Sequence, residues 1–206
     1  RNSKAVIFHN NDNRNLFINK GIVFSSKTYV VNGSGVDIKK FNLSTIPSGD
    51  INFLCIARLL RAKGLKEYAA AAKIVKNKFP NVVFNLLGPE DRSPDGIPLD
   101  EIKNWSDYIS YKGSAMDVRP YIKEAHIYVL PSYHEGMPNT VLEAMSMGRP
   151  IITTDVSGCK ETVKDSINGF IVPVGSTNEL AEKMIWFIEN KERIENMGIE
   201  SRKIAE

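Results

Sequence analysis

The sequence predicts an α/β domain built on a doubly wound parallel sheet. From Asp50 onward, short apolar runs rich in β-branched residues alternate with segments of helical periodicity. The runs are continuously apolar rather than alternating, which is typical of strands buried on both faces of a parallel sheet. Right-handed crossovers through the intervening helices then place helices on both faces.

Six apolar runs predict the strands of this sheet. They cover residues 51 to 57, 82 to 88, 108 to 113, 127 to 132, 151 to 155 and 169 to 174. Helices are predicted at 65 to 79, 117 to 125, 139 to 147 and after Ser176. Ser176 and Glu179 have the spacing of a capping box, and Gly148 followed by Pro150 is typical of a helix end.

The two ends of the chain differ from this central pattern. Residues 1–45 predict a strand in KAVIFHN, a helix to about Lys20 and a strand in TYVVNGSGVD, so we expect a linker or the last unit of another domain. Residues 46–190 form the predicted main domain, and 191–206 a helical, amphipathic C-terminal tail. The polar stretch 88 to 100 predicts a surface loop. We expect the chain to be a piece of a longer polypeptide.

Composition excludes several classes of protein. The 206 residues carry a net charge of +3, with lysine and arginine spread along the chain, which does not favour nucleic acid binding. The two cysteines, Cys55 and Cys159, lack the spacing of a zinc site, so no metal and a reducing, cytoplasmic setting are expected. No apolar run approaches the ~20 residues that span a bilayer.

A basic segment follows the first strand of the main domain. Arg58 lies at the predicted strand exit, and Lys63 precedes Gly64 and the next helix. Arginine offers a planar fork, lysine a point charge, and glycine lets the backbone approach closely, which together suit a phosphate group. A solvated basic loop explains the same residues. Neither G-x-G-x-x-G nor G-x-x-x-x-G-K-[ST] is present, so a dinucleotide dehydrogenase and a P-loop enzyme are not favoured.

Two glutamates flank the predicted start of the helix at Asn139. Glu143, expected in its first turn, leans back toward the strand ends, and Glu135 approaches them from the preceding loop. Carboxylates repel phosphate, but they accept hydrogen bonds from ribose or sugar hydroxyls. The layout therefore suggests a nucleoside diphosphate with a sugar at both ends. Stabilisation of the helix dipole is the alternative explanation.

Three segments resemble a known family. ARLLRAKG, NGSGVDIKKF and HEGMPNTVLEAMSMGRPIITTDVSGCKETVKDSINGFIVP are similar to the C-terminal nucleotide-sugar domain of the family 4 retaining glycosyltransferases. The spacing of Glu135 and Glu143, with seven residues between them, belongs to this resemblance, which spans nearly the whole chain. It implies the C-terminal, Rossmann-like half of a GT-B fold.

The resemblance implies a role for each matched residue. Arg58 and Lys63 hold the donor diphosphate and stabilise the leaving group, while Glu135 contacts the donor sugar. The implied donor-binding residues are Gly64, Tyr111, Lys112, Gly113, Ser114, Met137, Pro138, Asn139, Thr140 and Glu143. Among them Glu143 binds the ribose, residues 111–114 adjoin the base, and 137–140 bind phosphate and sugar through backbone N–H groups. The sequence departs from the family at EGMP, because Pro138 lacks the N–H of the usual glycine.

The resemblance also implies a reaction. Glycosyl transfer from a nucleoside-diphosphate sugar, with a UDP-sugar expected, retains the anomeric configuration and proceeds without a metal cofactor, since no D-x-D motif occurs. The expected acceptor is a saccharide or lipid-linked saccharide of bacterial polysaccharide biosynthesis, at the inner face of the membrane, with peripheral membrane association possible. Acceptors dock on the N-terminal domain in this family, so the chain alone is expected to be inactive.

Two other functions remain open from the residues alone. A nucleotide-sugar epimerase or hydrolase of the same fold is expected to carry additional acidic or histidine side chains, for which His134 is a candidate. A non-enzymatic nucleotide-binding module is the second. His9 and His126 have no partner at the spacing of a metal site or a catalytic triad.

Overall fold

A six-stranded parallel sheet forms the centre of the structure, a computed structural model that describes residues 3–31 and 33–206. Its strands are β3 (Asn52–Ile56), β4 (Val83–Leu87), β5 (Ser110–Tyr111), β6 (Ile127–Leu130), β7 (Ile151–Thr154) and β8 (Gly169–Val172), and a separate two-stranded parallel sheet contains β1 (Val6–Phe8) and β2 (Thr28–Val30). Each of the six predicted strands is confirmed within its range. The spatial order is β5-β4-β3-β6-β7-β8.

Helices connect nearly all of these strands. They are α1 (Asn11–Asn19), α2 (Leu65–Lys78), α3 (Leu99–Lys103), α4 (Arg119–Glu124), α5 (Asn139–Ser146), α6 (Thr177–Glu189) and α7 (Glu192–Ala205). The chain winds from β3 toward β5 and then from β6 toward β8, so right-handed crossovers put α2 and α5 on opposite faces of the sheet. Helix α6 packs beside α2, and α7 packs beside α5. The doubly wound prediction is therefore confirmed.

The strand order reverses between β3 and β6, which are neighbours in the sheet although β4 and β5 intervene in sequence. The connections that leave these two strands turn to opposite sides, which opens a crevice at their carboxyl ends. Ligands of open α/β sheets bind at such a switch point. The loops after β3 and β6 are therefore the first place to look for a site.

Arg149 joins the chain before the sheet to the main domain. Its side chain is completely buried and donates hydrogen bonds to the Ser44 hydroxyl (2.6 Å), the Thr45 carbonyl (3.0 Å) and the Ile122 carbonyl (2.9 Å). None of these partners is a carboxylate, and burial lowers the pKa of the guanidinium to about 10. Because an unpartnered buried cation is costly, this set of carbonyls fixes residues 44–45 against the end of α4.

Helix ends agree with the sequence prediction at one of two positions. Gly148, at φ +77°, follows α5 in the left-handed conformation expected of a C-terminal glycine. The capping box at Ser176 and Glu179 is wrong, because the Ser176 side chain makes no capping hydrogen bond. Its backbone N–H instead closes a turn onto the Pro173 carbonyl (3.2 Å).

The N-terminal residues form a strand, helix and strand, as predicted. Strand β1 precedes α1 in the sequence and β2 follows it, and the two strands pair with each other in parallel. Arg1, Asn2 and Asn32, which belong to the predicted N-terminal region, lie outside the described residues. We call residues 3–31 the N-terminal unit. The domain boundaries at 45 and 190 stay predictions, although α7 packs on α5 rather than extending away as a separate tail.

Across residues 3–31 and 33–206, every helix is too short or too polar to cross a membrane.

Gly64, in the loop after β3, packs tightly against Pro131 just beyond the end of β6. Its φ is +67°, and a Cβ there would lie 2.0 Å from the Pro131 carbonyl oxygen. Gly113 has a similar φ of +72°, but a Cβ there would meet nothing within 4 Å. The two glycines therefore share a backbone conformation and differ in available space.

We predict that Gly64→Ala destabilises the protein more than Gly113→Ala does. Left-handed strain costs about 1–2 kcal/mol at either position, and the added clash at Gly64 costs roughly 1–3 kcal/mol more. Urea unfolding of both variants measures the difference. Equal losses would show that the loop after β3 moves away from Pro131 without cost.

Candidate functional site

Lys63 and Glu135 meet at the switch point of the sheet. The Lys63 ammonium Nζ lies 2.6 Å from the Glu135 Oε1, although 72 residues separate them in sequence. Their side chains are 20% and 12% exposed, so the ion pair is shielded from most solvent. The structure thus brings together two residues whose common location the sequence predicts.

Backbone contacts hold the two loops in this arrangement. A turn of 3-10 helix (Arg61–Lys63) precedes Gly64, and the Ala62 carbonyl accepts hydrogen bonds from the Tyr133 N–H (2.9 Å) and the buried Ser132 hydroxyl (3.0 Å). These bonds lie one residue from Lys63 and two or three residues from Glu135. The ion pair therefore depends on well-anchored backbone on both sides.

Arg58 occupies the other side of the loop after β3. Its side chain is 62% exposed and donates to the Asp91 carboxylate at 2.9 Å, in the predicted surface loop after β4. Hydrogen bonds from Ser93, with a smaller contribution from Arg58, lower the pKa of Asp91. Arg58 is therefore at the crevice edge but is not joined to the Lys63 and Glu135 pair.

Helix α5 begins at Asn139, as predicted, and points its first turn at the crevice. Pro138 is its N-cap, without a side-chain capping bond, and the Val141 N–H already bonds the Pro138 carbonyl (3.1 Å). The N–H groups of Asn139 and Thr140 precede any intrahelical partner. The Thr140 hydroxyl instead accepts from the buried Tyr128 hydroxyl (2.7 Å). This helix end offers backbone donors to an anion.

Glu143 lies just beyond the first turn of α5, in which the sequence predicts it. It is the fifth residue of α5 and so belongs to the second turn, not the first. Its carboxylate is half-buried and makes no side-chain hydrogen bond to residues 3–31 or 33–206. Burial raises the pKa of Glu143, and the positive charge of Lys40 partly offsets that rise. An acceptor held in this state is available to a ligand hydroxyl.

Residues 111–114 border the crevice on the side of β4. The Tyr111 hydroxyl donates to the Gly88 carbonyl (2.8 Å), the Lys112 N–H donates to the Leu86 carbonyl (2.8 Å), and the Gly113 carbonyl accepts from the Gly88 N–H (2.7 Å). Exposed Ser114 follows directly. The predicted base-binding residues thus form an ordered wall at the carboxyl end of β5, separated from Lys63 by the ends of β4 and β3.

Contacts from distant parts of the chain support residues 134–139, which we call the Glu135 loop. The Asn10 amide Nδ2 donates to the Gly136 carbonyl at 2.9 Å, and the Ser34 hydroxyl donates to the Asn139 Oδ1 at 2.9 Å. Gly33 packs so closely on Met137 that a Cβ would lie 2.5 Å from its Cγ.

Sequence reasoning missed Asn10 and its neighbour His9, whose Nδ1 faces Gly136. An ideal Cβ on that glycine would lie 3.4 Å from this nitrogen. Their position at the end of the predicted first strand was the available signal, because polar residues at strand ends are common binding groups.

This combination defines a class of protein. A cation paired with a carboxylate at the switch point, helix N–H groups without a partner among residues 3–31 and 33–206, and a nearby half-buried carboxylate are features expected of an α/β domain for a phosphorylated, hydroxyl-rich ligand. The family follows from comparison. Residues 50–190 match the family described as Glycosyl transferases group 1, and the chain belongs to that family. The predicted GT-B resemblance is thereby confirmed.

Individual relatives agree with this assignment. The chain is 30% identical over 198 residues to a Campylobacter jejuni protein, N,N'-diacetylbacillosaminyl-diphospho-undecaprenol alpha-1,3-N-acetylgalactosaminyltransferase, covering 90% of this chain and 51% of that one. It is 27% identical over 210 residues to the Escherichia coli UDP-Gal:alpha-D-GlcNAc-diphosphoundecaprenol alpha-1,3-galactosyltransferase, covering 92% and 52%. The chain therefore spans about half the length of these relatives.

Solved structures share the fold. The Anabaena protein HepE in complex with UDP superposes with a TM-score of 0.84 at 20% identity, covering 98% of this chain and 59% of that one. At this identity the likeness establishes the fold alone.

We predict that Glu143→Gln stabilises the protein at neutral pH. A carboxyl whose pKa is raised by folding destabilises the folded state once it ionises, so the penalty is absent below its unfolded pKa and complete above its folded pKa. The variant should therefore have a higher Tm than wild type at pH 7.5, and the difference should disappear near pH 3.

Glu182→Gln, at an exposed position of α6, is the matched control for loss of a negative charge. Thermal unfolding of the three proteins across this pH range provides the measurement. A Glu143→Gln variant that is less stable than wild type at pH 7.5 would contradict the assignment of a desolvated carboxylate.

Proposed function

We propose that the chain is the donor-binding half of a retaining glycosyltransferase that uses a UDP-sugar. The observation that carries the proposal is the convergence of Lys63, Glu135 and the start of α5 at the switch point of the sheet. Around that point the chain also has a different type of binding group for each part of a nucleotide sugar. Membership of the glycosyltransferase family supports this interpretation.

The donor diphosphate would lie over the loop after β3. Lys63 and the N–H groups of Asn139 and Thr140 face a phosphate from two sides, and Gly64 lets the backbone come close. Arg58 would reach the same phosphates by leaving Asp91, which its high exposure allows. Departure of the nucleoside diphosphate builds negative charge on the β-phosphate, and preorganised cations and N–H donors stabilise that charge.

The hydroxyl-bearing parts of the donor would contact the two glutamates. Glu143, half-buried and without a hydrogen-bond donor among residues 3–31 and 33–206, would accept from the ribose hydroxyls, and the base would rest against residues 111–114. Glu135 would accept from the donor sugar near the reacting carbon. Its pairing with Lys63 holds both side chains in position before the donor arrives.

Retention, the choice of UDP and the absence of a required metal rest on the family resemblance of the motifs rather than on the geometry. Two relatives are named for acceptors linked to a diphospho-undecaprenol lipid, and one of these is named for UDP-galactose. A similar fold is known with UDP bound. We therefore propose a saccharide or lipid-linked acceptor, used at the cytoplasmic face of a membrane.

The acceptor site would belong to a further domain. An apolar cavity of about 480 Å³ opens on the N-terminal unit, between residues that include Phe17, Ile22 and Phe24, and the last of these is 76% exposed. Apolar surface of this kind normally packs against other protein. We propose that the acceptor-binding domain covers it and that this chain without that domain binds donor but transfers no sugar.

The test is a transfer assay on the full-length protein with UDP-glucose, UDP-galactose and their N-acetyl forms and a polyprenyl-diphosphate saccharide acceptor. Lys63→Ala is expected to lower kcat, because loss of one preorganised charge-stabilising group raises the activation free energy by about 2–4 kcal/mol. Lys66→Ala, which removes a cation three residues away that pairs with Glu101, should change the rate little.

Three results would contradict the proposal. Equal rates for Lys63→Ala and Lys66→Ala would remove Lys63 from the donor site. A product whose new linkage is inverted relative to the donor, as read from its NMR coupling constants, would exclude retention. Measurable transfer by residues 1–206 alone would exclude the need for a further domain.

A further inference from the structure

Asn10 connects the N-terminal unit to the Glu135 loop. It stands between β1 and α1, and its side chain is only 3% exposed. The amide oxygen Oδ1 accepts from the Asn13 N–H at 2.8 Å and caps α1, while the amide nitrogen Nδ2 donates to the Gly136 carbonyl at 2.9 Å. Both ends of one buried amide are thus used, and 126 residues separate Asn10 from Gly136.

The two hydrogen bonds have different purposes. The bond to Asn13 is a helix N-cap, which stabilises α1 and can be made equally well by aspartate. The bond to Gly136 contributes nothing to α1. Gly136 directly follows Glu135, so a donor that holds the Gly136 carbonyl also limits rotation of the backbone next to the Glu135 side chain.

The loop after β7 also packs against the Glu135 and Gly136 peptide groups. A Cβ on Gly158 would lie 2.6 Å from the Glu135 carbonyl oxygen and 2.5 Å from the Gly136 carbonyl oxygen. Lys160 in that loop reaches back to Asp12 in the first turn of α1, with 3.4 Å between Nζ and Oδ2. The N-terminal unit and the loop after β7 are therefore linked to each other as well as to the Glu135 loop.

We propose that Asn10 is a positioning residue for Glu135. By holding the Gly136 carbonyl, it keeps the Glu135 carboxylate beside Lys63, where it meets the sugar of the donor rather than its nucleotide. The effect on donor binding rests on the proposed donor site, whereas the effect on the Glu135 loop concerns the ligand-free protein. It also gives the N-terminal unit a direct effect on donor recognition.

The decisive variant is Asn10→Asp. It keeps the acceptor for the Asn13 N–H and replaces the amide nitrogen with an oxygen, which loses the bond to Gly136 and repels its carbonyl. Asn11→Asp is the matched control, because it adds the same charge at the start of α1 at an exposed position. A Tm for each variant shows whether α1 and its packing survive.

Two readouts separate positioning from general stability. In the ligand-free protein, the 15N relaxation order parameters of the Gly136 and Met137 amides should fall from about 0.85 toward about 0.6 in Asn10→Asp and keep their wild-type values in Asn11→Asp. In calorimetric titrations, Asn10→Asp should bind UDP-N-acetylgalactosamine or UDP-galactose, whichever binds wild type more tightly, about tenfold more weakly, with the Kd for UDP unchanged.

Each outcome decides the inference. Unchanged order parameters at Gly136 and Met137, or equal weakening of UDP and UDP-sugar binding, overturns it. If wild type binds neither ligand, the proposed donor site fails, and the order parameters alone then decide whether Asn10 orders the Glu135 loop.

Discussion

The reversal of strand order between β3 and β6 is the constraint on which the candidate site depends. Because the connections leave these adjacent strands in opposite directions, the loops after them face each other across the crevice. Their approach is close enough that Gly64 has no room for a side chain against Pro131. Within that approach, the Ala62 carbonyl anchors Tyr133 and Ser132, and Lys63 meets Glu135.

The site combines groups that stability alone would not favour. Glu143 is desolvated without a hydrogen-bond donor among residues 3–31 and 33–206, and its pKa rises as a result. The first N–H groups of α5 have no side-chain cap, because Pro138 occupies the N-cap position. Both features leave polar groups unsatisfied in the free protein and available to a ligand. Arg149 presents the opposite case, a buried cation whose carbonyl and hydroxyl partners hold residues 44–45 in place.

The fold was largely predictable because its signal is local. Continuous apolar runs marked all six strands, and Gly148 marked the end of α5. The shared edge of Lys63 and Glu135 followed from topology, since carboxyl ends of parallel strands lie together. Their direct pairing did not follow, because it depends on the path of two loops separated by 72 residues. The partner of Arg58, Asp91, lies in a loop whose path carries no periodic signal.

Other parts of the site depend on helix phase and on distant packing. Glu143 belongs to the second turn although α5 begins at the predicted residue, because the fifth residue of a helix lies beyond its first turn of 3.6 residues. Asn10 escaped notice because its contact with Gly136 joins segments that are remote in sequence. A polar residue after an apolar strand is common, and nothing local distinguishes one that reaches another loop.

The measurement that tests the central claim most directly is NMR of the 15N-labelled chain during titration with UDP, with GDP and ADP as comparisons. The account predicts saturable shifts for UDP at the backbone amides of Gly64, Gly113, Asn139 and Thr140, which surround the switch point. Amides lining the apolar cavity near Phe24 should not move. Shifts confined to that cavity, or no saturable shift with any of the three nucleotides, would contradict a donor site at the switch point of the sheet.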